Sequence, residues 1–126
     1  MEFKENKAIY LQIVDRLCDD ILLGKYQEED RIPSVREYSA SVEVNVNTAV
    51  RSYDHLQNQG IIFTKRGLGY FVSPGAKSVI EEMRREEFLN EKLPELLQSM
   101  NTLNNSIDEM VCKLKKISSN NKEQTI

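Results

Sequence analysis

The chain has 126 residues, with 17 Lys+Arg against 20 Asp+Glu, a formal net charge of −3, and 40% hydrophobic and 29% charged residues. That suits one globular domain, or a small one with an accessory segment, and no apolar run approaches the roughly 18–20 residues of a membrane span. His55 is the only histidine and the cysteines are only two, Cys18 and Cys112, so a histidine-rich metal site and a triad with a second histidine are excluded.

The opening segment "MEFKENKAIY" lacks the apolar centre of a signal peptide, so a cytoplasmic location is expected. Both cysteines sit among apolar neighbours and are expected to be buried, reduced thiols. "GLG" at 67–69 is too short for a phosphate-cradling loop. No cofactor or metal is expected.

In chain order, residues 8–23 place Ile9, Ile13, Leu17 and Ile21 four apart, with Tyr10, Val14, Cys18 and Leu22 widening the stripe. This predicts an amphipathic helix stopped by Gly24. "KYQEEDRIP" reads as a loop. In "PSVREYSASV", Ser34 followed three residues later by Glu37 forms a capping box and opens a short second helix. Val42, Val44 and Val46 alternate with Glu43, Asn45 and Asn47, as in a strand. The alternation fails after Asn47, where Ala49, Ser52, Tyr53 and Leu56 take the i, i+3, i+4, i+7 spacing of a helix face. A third helix is therefore expected, capped by Asn45 and stopped by Gly60.

Ile61–Thr64 and Tyr70–Val72 are β-rich runs around "KRGLG", predicting a hairpin with glycines at its tip. "SPGA" at 73–76 marks a boundary. Beyond it, Pro94 is expected to kink or divide a helical stretch, and a second capping box, Ser106 to Glu109, opens a further helix. The expected organisation is a DNA-binding domain over 1–74, a helical dimerisation or effector segment over 75–118, and a disordered tail over 119–126.

The fold class expected is mainly α: a winged helix-turn-helix of three helices plus a β-hairpin wing, followed by a short helical dimerisation segment. Within residues 44–72 the cations are Arg51, Lys65 and Arg66 against the single acid Asp54, a local positive balance in an acidic chain. The outer face of the third helix carries Asn45, Asn47 and Arg51 with Val46 and Val50 between them. Asparagine can pair with adenine and valine can pack on the thymine methyl.

"PSVRE", "NTAVRSYDHLQNQGII" and "RGLGYFV" closely resemble the DNA-binding domain of the GntR family of bacterial transcription regulators, over residues 9–72. The short C-terminal segment, with "MRREEFLNEKLPELL", is similar to the YtrA-type subgroup, whose accessory part is a small dimerising helical pair. The resemblance implies that Arg36 reaches DNA from the second helix, and that Asn45, Asn47 and Thr48 meet phosphate or base edges. It places Arg51 at a position where YtrA-like members also have Arg. It sets the wing tip, Arg66 and Gly67, at the minor groove, with Lys65 as a supporting phosphate contact. Many relatives have arginines where this chain has Val46 and Val50, which implies weaker guanine readout and more A/T contact. Ala8 replaces a common proline.

The function expected is sequence-specific DNA binding by a homodimeric repressor, joined through its C-terminal helices, on a two-fold symmetric operator. Transporter genes are the regulon that the subgroup implies. A small-molecule effector is left open, and no membrane partner is expected. The alternative is a winged helix used only for protein contacts. An enzyme is not expected, because about 50 residues after Pro74 cannot house the pyridoxal-phosphate domain of long family members.

Overall fold

The computed structural model describes residues 7–124. Its elements are α1 (Ile9–Leu22), α2 (Val35–Val42), α3 (Val46–Asn58), β1 (Ile62–Lys65), β2 (Gly69–Val72), α4 (Ala76–Glu87), a π-helical turn (Phe88–Lys92), α5 (Leu93–Thr102) and α6 (Ile107–Gln124). The chain divides into two compact units, the first ending at Met83 and the second beginning at Arg84.

In the first unit, α1 buries Ile13, Val14, Leu17, Cys18 and Ile21, the stripe its spacing dictates. At the start of α2, the Ser34 hydroxyl accepts from the Glu37 N–H at 3.1 Å, satisfying a donor that the first helical turn leaves unpaired. Glu43 ends α2 with a left-handed backbone (φ 56°, ψ 48°). That reversal lets the Val44 N–H bond to the Ser39 carbonyl at 3.0 Å and turns the chain within three residues. Asn45 caps α3, its Oδ1 accepting from the Asn47 N–H at 2.8 Å. The strand-like alternation over 42–47 is thus a helix end, a turn and a helix start.

The inward face of α3 is Ala49, Ser52, Tyr53 and Leu56, as the spacing predicts. β1 and β2 pair antiparallel, with Ile62 opposite Val72, Phe63 opposite Phe71 and Lys65 opposite Gly69. Residues 29–32, expected as loop, extend this hairpin. The Glu29 N–H bonds to the Val72 carbonyl at 2.8 Å, the Val72 N–H to the Asp30 carbonyl at 3.0 Å and the Ile32 N–H to the Tyr70 carbonyl at 3.0 Å, and Arg31 bridges Phe71.

The boundary expected at 74/75 lies further on. Ala76 and Ile80 of α4 join the core cluster, with Val79 and Met83 packed against it, so the first turns of α4 belong to the first unit. Here the apolar spacing of α4 outweighs the turn chemistry of "SPGA".

In the second unit, Pro94 sits in the first turn of α5. A proline has no N–H and its ring clashes with the carbonyl four residues earlier. The chain answers with the π-turn over Phe88–Lys92, which divides α4 from α5 without leaving helical geometry. The Ser106 hydroxyl accepts from the Glu109 N–H at 3.1 Å at the head of α6. α6 continues to Gln124, past the expected end at 118; the remainder of the expected tail lies outside the described residues. Cys18 is buried, whereas Cys112 is exposed on α6, and neither forms a disulfide among the described residues. The expectation of two buried thiols therefore fails for Cys112, which lies beside the apolar stripe of α6 rather than in it.

Candidate nucleic-acid interface

Two buried hydroxyls fix how α3 is turned about its own axis. Ser52 is fully buried, and its Oγ lies 2.8 Å from the Tyr10 carbonyl of α1 and 3.1 Å from the Thr48 carbonyl. The Tyr53 hydroxyl donates to the Pro33 carbonyl at 2.6 Å, and its ring meets Tyr70 edge to face, centroids 5.0 Å apart. Burial pushes the Tyr53 phenol well above its ordinary range, with Tyr38, Tyr26 and Tyr70 adding to the effect. It stays a neutral donor. Burial, then the Asp20 carboxylate, raises Tyr38 as well.

With that face locked inward, Asn47, Val50 and Arg51 lie outward on α3 beside Val46. Val46 and Val50 are 41% and 40% exposed, one turn apart on one face. Two exposed valines gain nothing from water. Thr48 is half-buried at the side of this face. Asn45 is exposed, but its Oδ1 is committed to the cap, which leaves its amide N–H groups to donate. On α2, Arg36 is exposed; among the described residues it makes no ion pair with Asp30 or Glu37. The Asp30 carboxylate instead accepts the Gln27 N–H at 2.9 Å.

The wing tip is a turn closed by the Leu68 N–H on the Lys65 carbonyl at 2.9 Å. Gly67 occupies it at φ 77°, a left-handed position that glycine takes without a Cβ clash. Arg66 is exposed in the turn. Lys65 folds back over the hairpin, its Nζ 4.5 Å from the Phe71 ring centroid.

The structure also shows what spacing could not. The Arg51 guanidinium stacks on the Tyr10 ring, 3.8 Å from its centroid, and His55 meets the same ring edge-on at 6.2 Å. Tyr10 is thus a platform that preorients Arg51 and joins α1 to α3. The aromatic character of Tyr10 within the α1 stripe was the only signal in sequence. Among the described residues there is no cluster of His, Cys, Asp or Glu that could hold a metal ion, and no helix long and apolar enough to cross a membrane.

Comparison with known proteins gives this geometry a context. Residues 9–72 match the model of the bacterial regulatory proteins of the gntR family. The HTH-type transcriptional regulator YhcF of Bacillus subtilis is 32% identical over 110 residues, covering 87% of this chain and 89% of YhcF. The HTH-type transcriptional repressor YtrA of the same organism is 33% identical over 94 residues, covering 75% of this chain and 72% of YtrA. A crystal structure of a GntR-family transcriptional regulator from Bacteroides thetaiotaomicron superposes with a TM-score of 0.79 at 49% identity, covering 90% of this chain and 99% of that one. The chain belongs to the gntR family of bacterial regulatory proteins, as a sequence-specific DNA-binding transcription regulator with a winged helix-turn-helix.

Proposed function

We propose that the protein is a homodimeric repressor, working in the cytoplasm, whose two winged helices read the halves of a two-fold symmetric operator. The observation that carries the DNA contact is the outward face of α3, where exposed Val46, Asn47, Val50 and Arg51 stand on a helix whose opposite face is locked. Asn47 reads a base edge, and Val46 and Val50 meet thymine methyls. Asn45 adds to this sequence choice through its amide N–H groups; Arg36, Thr48, Arg51, Lys65 and Arg66 supply contacts to the sugar–phosphate backbone, and Gly67 lets the wing tip approach it closely.

The second unit supports the dimer. α5, α6 and the π-turn line an apolar groove of about 400 Å³ that includes Leu89, Leu93, Leu97, Met100, Val111 and Leu114. A second copy presenting the same leucine-rich face would close it, as two-fold interfaces do. Repression is the reading favoured by the similarity to the repressor YtrA, and transporter genes are the regulon expected.

Two substitutions separate the roles. Arg66→Ala weakens binding to specific and random duplexes alike and lowers the salt slope by about one. Asn47→Ala costs roughly 1–3 kcal/mol at one base pair and relaxes the choice there. Equal losses for both variants on both duplexes would sink this division of labour.

A further inference from the structure

We infer that Arg31 is a further phosphate-binding residue, placed on the outer face of the wing by the strand pairing of residues 29–32. The inference rests on the wing meeting DNA. β2 is the middle strand of a small sheet, with β1 on one side and the bridge from Arg31 to Phe71 on the other. Residues directly opposite one another in antiparallel pairs share a face. Ile62 and Val72 therefore share the buried face. Phe63, Phe71, Lys65 and Arg31 share the outer one. Ile32, next to Arg31, is 2% exposed, as alternation along a strand requires.

The guanidinium lies over this face. A Cβ placed on Gly69 would fall 3.2 Å from Arg31 Nε and 3.8 Å from its Cζ, so the side chain lies along backbone that only a glycine leaves bare. Gly69 stands directly opposite Lys65, and Lys65 leans over Phe71. Two cations thus flank β2, their backbones two strand spacings, about 10 Å, apart across it and two residues, about 7 Å, apart along it. The Phe63 and Phe71 rings, with centroids 5.8 Å apart, lie on the same outer face. Arg31 is exposed and, among the described residues, is not ion-paired. Although Glu28, Glu29 and Asp30 precede it in the chain, none of them pairs with it among the described residues, which leaves its planar fork of donors open to a phosphate.

The test uses the full chain, one duplex of fixed sequence and binding measured from 50 to 200 mM salt. Arg31→Gln keeps a planar polar head on a shorter stem and removes the charge, Arg31→Lys keeps the charge, and Lys65→Gln is the reference. Arg31→Gln is expected to lower the salt slope by about 0.9, so that the affinity lost across this salt range shrinks about 3.5-fold. Arg31→Lys is expected to retain the slope. An unchanged slope for Arg31→Gln, with a lowered one for Lys65→Gln, overturns the role of Arg31 and leaves the wing on DNA. A slope lost equally in the Gln and Lys variants makes Arg31 a structural strut and also overturns the inference. If Arg31→Gln, Lys65→Gln and the wing-tip variant Arg66→Ala all leave the slope unmoved, the wing does not meet DNA and the inference falls with it.

Discussion

Ile13, Leu17, Tyr53, Leu56 and Ile80 in the first unit are each at most 1% exposed, while Leu93, Leu97, Leu114 and Ile107 in the second are 44–63% exposed. Met100 is the sole buried side chain among the described residues from Arg84 onward. Both units use similar amphipathic helices with serine caps, so propensity does not explain the difference. The first unit folds three helices, a hairpin and part of α4 around one core. The second has too few faces to enclose its own leucines. A unit with a closed core can present polar and charged groups outward as its working surface, and a unit with an open groove has an apolar surface to offer.

The strongest way to break this comparison is to charge the groove. Leu97→Glu with Leu114→Glu is expected to give a monomer in sedimentation and to lower operator affinity by about 100-fold, because the second half-site is no longer tethered. A double variant that stays dimeric would show that the groove is not the joint. Within the closed unit, Tyr53→Phe leaves the Pro33 carbonyl without its donor and is expected to cost about 1–3 kcal/mol in denaturant unfolding.

The same substitution changes the alkaline limb. A phenol whose folded value is raised contributes stability that is fully present below its unfolded value, near 10, and lost as the pH climbs through the folded one. Unfolding free energy should therefore fall above about pH 10, and less steeply in Tyr53→Phe. Parallel limbs in the two proteins would show that other groups dominate there.

The smallest effect sharpens the comparison at the two interhelical turns. Both use a non-glycine left-handed residue, Glu43 in the first unit and Asn104 in the second. Asparagine takes that conformation at less cost than glutamate. Glu43→Gly relieves about 1–2 kcal/mol of strain against a backbone entropy cost of roughly 0.5–1 kcal/mol. A net gain of about 0.5–1 kcal/mol in thermal unfolding is expected, and Asn104→Gly should gain less. A destabilised Glu43→Gly would mean that the side chain holds the turn.

Much of the first unit was legible because its determinants are local. The caps at Ser34 and Asn45 and the inward set Ala49, Ser52, Tyr53 and Leu56 follow from spacings of a few residues. The exposed cation at Arg66 and the glycine turn beside it were legible for the same reason. What escaped depends on contacts distant in sequence. "QEEDRIP" has no period-two apolar pattern, so its pairing to β2, and with it the place of Arg31, is set by the partner strand. The seat of Arg51 on Tyr10 joins residues 41 apart in number. The unit boundary moved to Met83 because the apolar positions of α4 fit a core that only the folded chain displays.

Selection of bound duplexes from a random pool by the full chain tests the central claim most directly. The expected product is a sequence with two-fold symmetry, its half-sites separated by one helical turn of about 10–10.5 base pairs or a multiple of it. A·T pairs should be favoured where Val46 and Val50 fall. A single asymmetric site, or no enrichment over the starting pool, would contradict a dimer that reads sequence through α3.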